Sequence, residues 1–147
     1  MNNKVVLLVE DNDDDVELIM RSFERHKLSN KIIVTRNGQD ALDYLLSQGS
    51  YASRDRTETP VLVLLDLKLP RMDGLEVLRQ IRSNPFTQCI PVVILTTSSQ
   101  ASDKLQSYKT GANGYVRKPV DFDQFMEVTR QLGIYWLMVN DPPPLNL

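Results

Sequence analysis

Five short apolar runs recur along the chain, each followed by a segment of helical periodicity. No other feature limits the fold as much. The runs are KVVLLVE (4–10), KIIVTR (31–36), PVLVLLD (60–66), PVVILTT (91–97) and GYVRKP (114–119). The first, third and fourth are continuously apolar rather than alternating, as in strands covered on both faces. Between them lie helical stripes. Val16, Ile19, Met20 and Phe23 fall at i, i+3, i+4 and i+7. Ala41, Leu42, Leu45 and Leu46 form a second stripe; Leu75, Leu78 and Ile81 form a third, stopped before Pro85. A weaker, more polar helix is expected from Ser102 to Lys109, with Leu105 and Tyr108 on one face and Gly111 as its C-cap. A fifth starts near Asp121 and uses Phe122, Phe125, Val128 and Leu132. Five βα units predict an α/β fold with a parallel sheet and right-handed crossovers. Such sheets bind ligands beyond the carboxyl ends of their strands.

A chain of 147 residues, 41% of them hydrophobic, suits one globular domain. A net charge of −2 gives no reason to expect nucleic-acid backbone or anionic membrane as the main partner. Cys89 is the only cysteine, so no internal disulfide is available, and its simplest role is that of a small apolar filler before the fourth strand. The apolar run of MNNKVVLLVED is too short for a signal peptide or a membrane span, and a soluble cytoplasmic protein is expected. His26, the only histidine, belongs on the polar side of the first helix, which leaves no histidine-based catalysis and no histidine-based metal cluster.

Two segments stand apart. SQGSYASRDRTET (47–59) is a long polar connection, either an exposed loop or a partner-contact loop. The tail GIYWLMVNDPPPLNL (133–147) is apolar on every side from Ile134 to Val139 and is ended by three prolines. A helix apolar all round is normally covered, here by its own core or by a second subunit.

The polar residues collect at strand ends. Glu10 and Asp11 end the first strand, Asp66 the third, Thr96 and Thr97 the fourth, and Lys118 the fifth. Converging carboxylates need compensation. Mg²⁺ supplies it, since it prefers oxygen ligands and often shares its shell with phosphate. With the Lys118 ammonium and the Thr96 hydroxyl, these groups suit a phosphoryl group. Asp66, alone after a stiff buried strand, is the best nucleophile for an acyl-phosphate. Asp13, Asp14 and Asp15 need no ligand: Asp13 can cap the first helix, and the other two then lie in its first turn, where the macrodipole favours anions.

The pieces LLVEDN, LLDLKLPRMDG, ILTTS and GYVRKP, in this order, resemble the receiver domains of two-component response regulators over roughly residues 4–132. The resemblance implies a doubly wound, five-stranded parallel sheet of order 2-1-3-4-5. It implies that Asp66 accepts a phosphoryl group from a sensor histidine kinase, and that the protein signals through a phosphorylation-dependent shift rather than acting as an enzyme. It implies Mg²⁺ bound by Asp66, by Asp11 directly, by Glu10 through water, and by the backbone carbonyl of Lys68. Thr96 would hydrogen-bond the phosphoryl oxygen and Lys118 would pair with it. Tyr115 matches an aromatic that swings inward with that threonine, although a static strand aromatic is the alternative. The Lys118–Pro119 bond is commonly cis in this family, and Gly74 matches the turn that opens the third helix.

Within the family, the long connection before the third strand, the LTTS sequence and the aromatic WL of the tail resemble the small regulators that serve cyanobacterial phytochromes. This likeness implies a phytochrome-type kinase as partner and a homodimer through the tail. The expected division is a receiver domain over 1–132 and a C-terminal extension over 133–147, with no DNA-binding output domain. Two other readings are weaker. A Mg²⁺-dependent aspartyl phosphatase would want its nucleophile after the first strand and a second acid two residues on, where position 68 is lysine. A degenerate receiver would lack part of the site, which is complete here.

Overall fold

The computed structural model describes residues 4–28 and 31–144. Five strands, β1 (Val5–Val9), β2 (Lys31–Thr35), β3 (Leu62–Leu65), β4 (Val92–Thr96) and β5 (Gly114–Arg117), form one parallel sheet of order β2-β1-β3-β4-β5. Five helices alternate with them: α1 (Asp13–Arg25), α2 (Gly38–Leu46), α3 (Gly74–Ser83), α4 (Ala101–Thr110) and α5 (Phe122–Ile134). The expected fold and strand order are both present.

The continuous apolar strands explain the layers. Successive side chains point to opposite faces, so a strand covered on both must be apolar throughout. Leu7, Val63, Leu65, Val92 and Ile94 join Ala41, Leu45, Val77, Leu78 and Ile81 on the α2–α3 side. Val6, Leu8, Leu62, Leu64, Val93 and Leu95 join Val16, Ile19, Phe23 and Phe125 on the α1–α5 side. The edge strands β2 and β5 are only partly buried and correspondingly more polar.

Several expectations are corrected. The first helix is capped by Asn12, not Asp13: the Asn12 side chain accepts from the Asp15 N–H at 3.0 Å. Asn accepts as well as Asp does, and its position one residue earlier leaves Asp13 inside the helix. Leu105 and Tyr108 do share a face of α4, but that face is exposed, at 53% and 49%; the buried residue is Ser107. Phe122 is likewise half exposed at the start of α5. Cys89 is exposed rather than a filler, because the chain there runs outside the sheet and Ile90 takes the inward position. The Lys118–Pro119 bond is trans, the lower-energy isomer of an X–Pro bond when nothing enforces the other.

The long connection before β3 is pinned rather than loose. Arg54 donates to the carbonyls of Tyr44, Leu45, Asp55 and Glu58, and its guanidinium lies 4.2 Å from the Tyr44 ring centre. The bonds to Tyr44 and Leu45 tie the connection to the last turn of α2, and those to Asp55 and Glu58 brace the connection itself. After α5 the chain makes one wide turn, Tyr135–Val139, closed by Asn140 N–H on the Tyr135 carbonyl at 2.6 Å. The prolines 142–144 then border a groove of about 540 Å³ beside Val5, Val61 and Pro91, at the amino ends of the strands. Among the described residues no helix is long and apolar enough to cross a membrane.

Candidate functional site

The sheet's hydrogen bonds run one residue past the strands and thereby fix the polar groups at its carboxyl edge. Glu10 N–H donates to Thr35 at 3.0 Å, Asp66 N–H to Val9 at 3.1 Å, and Lys118 N–H to Thr96 at 2.7 Å. Each functional side chain is thus mounted on backbone belonging to a rigid neighbour. Gly74 lets α3 approach closely. A Cβ there would lie 2.2 Å from the Asp66 carbonyl oxygen, so any side chain would displace the backbone that carries Asp66.

At the centre stands Lys118, with a side chain only 4% exposed. Its Nζ lies 2.5 Å from Glu10 Oε1, 2.8 Å from Asp15 Oδ2 and 3.0 Å from Asp66 Oδ2. The other Asp66 oxygen accepts from the backbone N–H groups of Leu67 at 2.7 Å and Lys68 at 3.4 Å. Carboxylate oxygens of Glu10, Asp11 and Asp66 all lie within 4.8 Å of one another. Asp11 and Lys68 also border an open cleft of about 390 Å³, so this corner of the site faces solvent.

The charges do not balance. Three carboxylates, those of Glu10, Asp15 and Asp66, share the ammonium of Lys118, and a fourth, that of Asp11, stands beside Glu10 and Asp66 with no ion pair among the described residues. Burial pushes the Glu10 carboxyl up to about 7, against the lowering influence of Lys118, and the charge of Asp66 adds to the rise. Burial alone would depress Lys118, but hydrogen bonds to Asp15 and Glu10 and the Asp66 charge hold it above its ordinary value. The ammonium therefore stays charged, yet does not neutralise the cluster. Three oxygen donors with an uncompensated negative charge, and no histidine or cysteine grouped with them among the described residues, match a hard divalent cation.

Of the residues singled out in the sequence, Glu10, Asp11, Asp66 and Lys118 come together. Thr96 is fully buried on the adjoining strand, where its hydroxyl accepts from Ser98 N–H at 3.3 Å. Tyr115 reaches the same loop: its hydroxyl donates to the Ser98 carbonyl at 3.0 Å. Ser98 in turn donates to Asp103 of α4 at 2.6 Å. Sequence reasoning missed Asp15. As the third residue of α1 it leans back toward the helix start, over the strand ends, a direction that its helical position indicates. Asp13 instead pairs outward with Arg36. His26 remains exposed at the end of α1, apart from the site.

The model of the response regulator receiver domain matches residues 6–130. This chain belongs to that family. It is 42% identical over 140 residues to the probable methanogenesis regulatory protein FilR2 of Methanothrix harundinacea, covering 95% of this chain and 87% of that protein. It is 37% identical over 134 residues to response regulator Rcp1 of Synechocystis, covering 91% and 89%. The crystal structure of the Mn²⁺-bound form of Rcp1 superposes with a TM-score of 0.89, at 35% identity and with 96% and 99% covered. The phosphorylated cyanobacterial phytochrome response regulator RcpA gives 0.90, also at 35% identity, with 97% and 99% covered. The chain is therefore a response regulator receiver of the two-component type, similar to regulators of phytochrome signalling, and the family binds a divalent metal.

Proposed function

We propose that this response regulator takes a phosphoryl group onto Asp66 from a sensor histidine kinase, of the phytochrome type, in the cytoplasm. The observation that carries the reading is the setting of Asp66. One of its oxygens meets the Lys118 ammonium, the other meets two backbone N–H groups, and two further carboxylates stand beside it. The likeness to phytochrome regulators supports the choice of kinase.

In the reaction an Asp66 carboxylate oxygen attacks the phosphorus of a phosphohistidine. The O–P bond forms as the P–N bond breaks, and the imidazole leaves with the electron pair and takes a proton from solvent. Lys118 stays protonated and transfers its Asp66 hydrogen bond to a phosphoryl oxygen. The Leu67 and Lys68 amides keep the carboxylate oriented. Mg²⁺, held by Glu10, Asp11, Asp66 and the Lys68 carbonyl, would offset the charge of the incoming phosphoryl group. Thr96 turns to donate its hydroxyl to the new phosphoryl oxygen, and the bond it accepts from Ser98 N–H carries that movement into the loop. Tyr115, tied to the same loop through the Ser98 carbonyl, follows that movement. The state is read by contact on the α4–β5–α5 face, where Leu105, Tyr108 and Phe122 are exposed. We further propose a homodimer through the tail segment 134–139, whose outer side carries Tyr135, Met138 and Val139.

The test is incubation with Mg²⁺ and a small phosphodonor, followed by intact mass. A single phosphoryl adduct, lost on alkaline treatment and absent from Asp66→Asn, is expected. An adduct that persists in Asp66→Asn, or none on the unaltered chain, ends the proposal.

A further inference from the structure

An ammonium has three N–H donors, and each of those on Lys118 meets a carboxylate from a different element. Glu10 follows β1, Asp66 follows β3, and Asp15 stands in the first turn of α1. The first two belong to the proposed phosphoryl and metal site; the third has no part in it. We infer that Asp15 is a positioning residue, the anchor on α1 that aims the Lys118 ammonium at the phosphoryl group on Asp66. The inference rests on the reading of Asp66 as phospho-acceptor.

Lysine carries its charge on a flexible four-carbon stem, so its position depends on what holds its end. Glu10 and Asp66 both stand on the central strands of the sheet. Two anchors on one sheet edge leave the ammonium free to tilt about the line between them, and a third from a separate element removes that freedom. Asp15 is well suited to the task. Its own backbone N–H is fixed by the Asn12 side chain at 3.0 Å, and its neighbour Asp13 is tied across to Arg36. The two other acids of that turn do not touch the lysine: Asp13 and Asp14 are exposed, whereas Asp15 is partly buried with its carboxylate directed inward. When Asp66 becomes an acyl-phosphate, Lys118 must let go of the carboxylate and take a phosphoryl oxygen, and Asp15 is a partner that this step leaves unchanged.

The alternative is purely electrostatic. An extra anion beside a centre that accepts a phosphoryl anion repels the donor, and its removal should then speed the reaction. Anchoring predicts the opposite sign. Adduct formation is followed by intact mass under limiting small phosphodonor with Mg²⁺, for the unaltered chain, Asp15→Ala, Lys118→Met and the double variant. Asp15→Ala is expected to be slower by roughly tenfold, equivalent to about 1.4 kcal/mol in the barrier. In the Lys118→Met background the same change should make no further difference, because the group it positions is gone. Should the alanine variant not fold, Asp15→Asn, which keeps the shape and an acceptor oxygen, is expected to slow the reaction by roughly threefold, as a neutral acceptor holds an ammonium less tightly than a charged one. A rate at or above that of the unaltered chain, or an equal loss in the Lys118→Met background, overturns the inference. Absence of any adduct on the unaltered chain is a distinct result: it removes the phospho-acceptor reading and the role of Asp15 with it.

Discussion

At Glu10 two demands conflict. Folding leaves Glu10 only 1% exposed, which favours the neutral carboxyl, while its proposed role as a cation ligand needs the charged form. The balance point is a carboxyl raised from 4.5 to about 7. In the metal-free protein the folded state therefore holds this proton more tightly than the unfolded chain does. The contribution to stability is full below about 4.5 and is lost as the pH rises toward 7. A divalent cation must displace that proton, so its binding strengthens as the pH rises through 7. Thermal melts with and without Mg²⁺ should show a clearly larger stabilisation at pH 8 than at pH 6, with apparent affinity about tenfold weaker one pH unit below the carboxyl's midpoint. An increment independent of pH over that range would argue against Glu10 as a ligand. At this scale the sequence was informative wherever a residue ended a strand: Glu10, Asp11, Asp66 and Lys118 could be assigned because the βα alternation fixes the edge they occupy. Asp15 could not, since a run of acids does not reveal which of them leans inward. That depends on the helix phase, which Asn12 sets by capping one residue earlier than expected.

The elements differ in how securely periodicity assigns them. In α3 the apolar positions face the sheet, and Val77, Leu78 and Ile81 are essentially unexposed. In α4 the pair Leu105 and Tyr108 obeys the same spacing, yet faces outward. Periodicity reports that two residues share a side; it does not report which side the sheet is on. Where a helix has only two large apolar residues, burying Ser107 and satisfying its hydroxyl on the Asp103 carbonyl at 2.8 Å can decide the orientation. The consequence is measurable. Ile81→Ala should cost about 2–5 kcal/mol in urea unfolding, whereas Leu105→Ala should stay within about 0.5 kcal/mol. Equal costs would mean that α4 is rotated relative to the orientation described. The connection 47–59 illustrates a second limit. Its composition signals an exposed loop, but Arg54 makes it a clamp on the end of α2, through carbonyls whose availability depends on where that helix stops.

On the scale of the whole molecule, the tail packs on its own core, the first of the two coverings its sequence left open, and keeps an outer side for the second. Leu137 is 1% exposed and completes the α1–α5 core, with Ile134 and Trp136 packed beside it, and Lys4 holds the Leu137 carbonyl at 2.7 Å. Tyr135, Met138 and Val139 point the other way and stay 47%, 70% and 64% exposed. A wide turn with two apolar sides is what an element needs if it is to seal one core and contribute to an interface, and adjacent exposed apolar side chains of this kind mark association surfaces. The groove bordered by Pro142–Pro144 lies at the amino ends of the strands, so the tail runs on toward the end of the sheet opposite Asp66. Truncation after Leu132 would remove Leu137 as well and weaken the fold, by about 2–5 kcal/mol if judged from comparable core deletions. A decrease in mass after truncation would then not separate lost association from lost stability. Met138→Asp combined with Val139→Asp leaves the inner side intact. Sedimentation should show the dimer mass falling to that of a single chain, while the thermal midpoint of the dilute protein, where the dimer adds little, moves by no more than a few degrees. A dimer that survives both charges would place the contact elsewhere, and an unaltered chain that sediments as a monomer at high concentration would leave the outer side of the tail without a partner of its own kind.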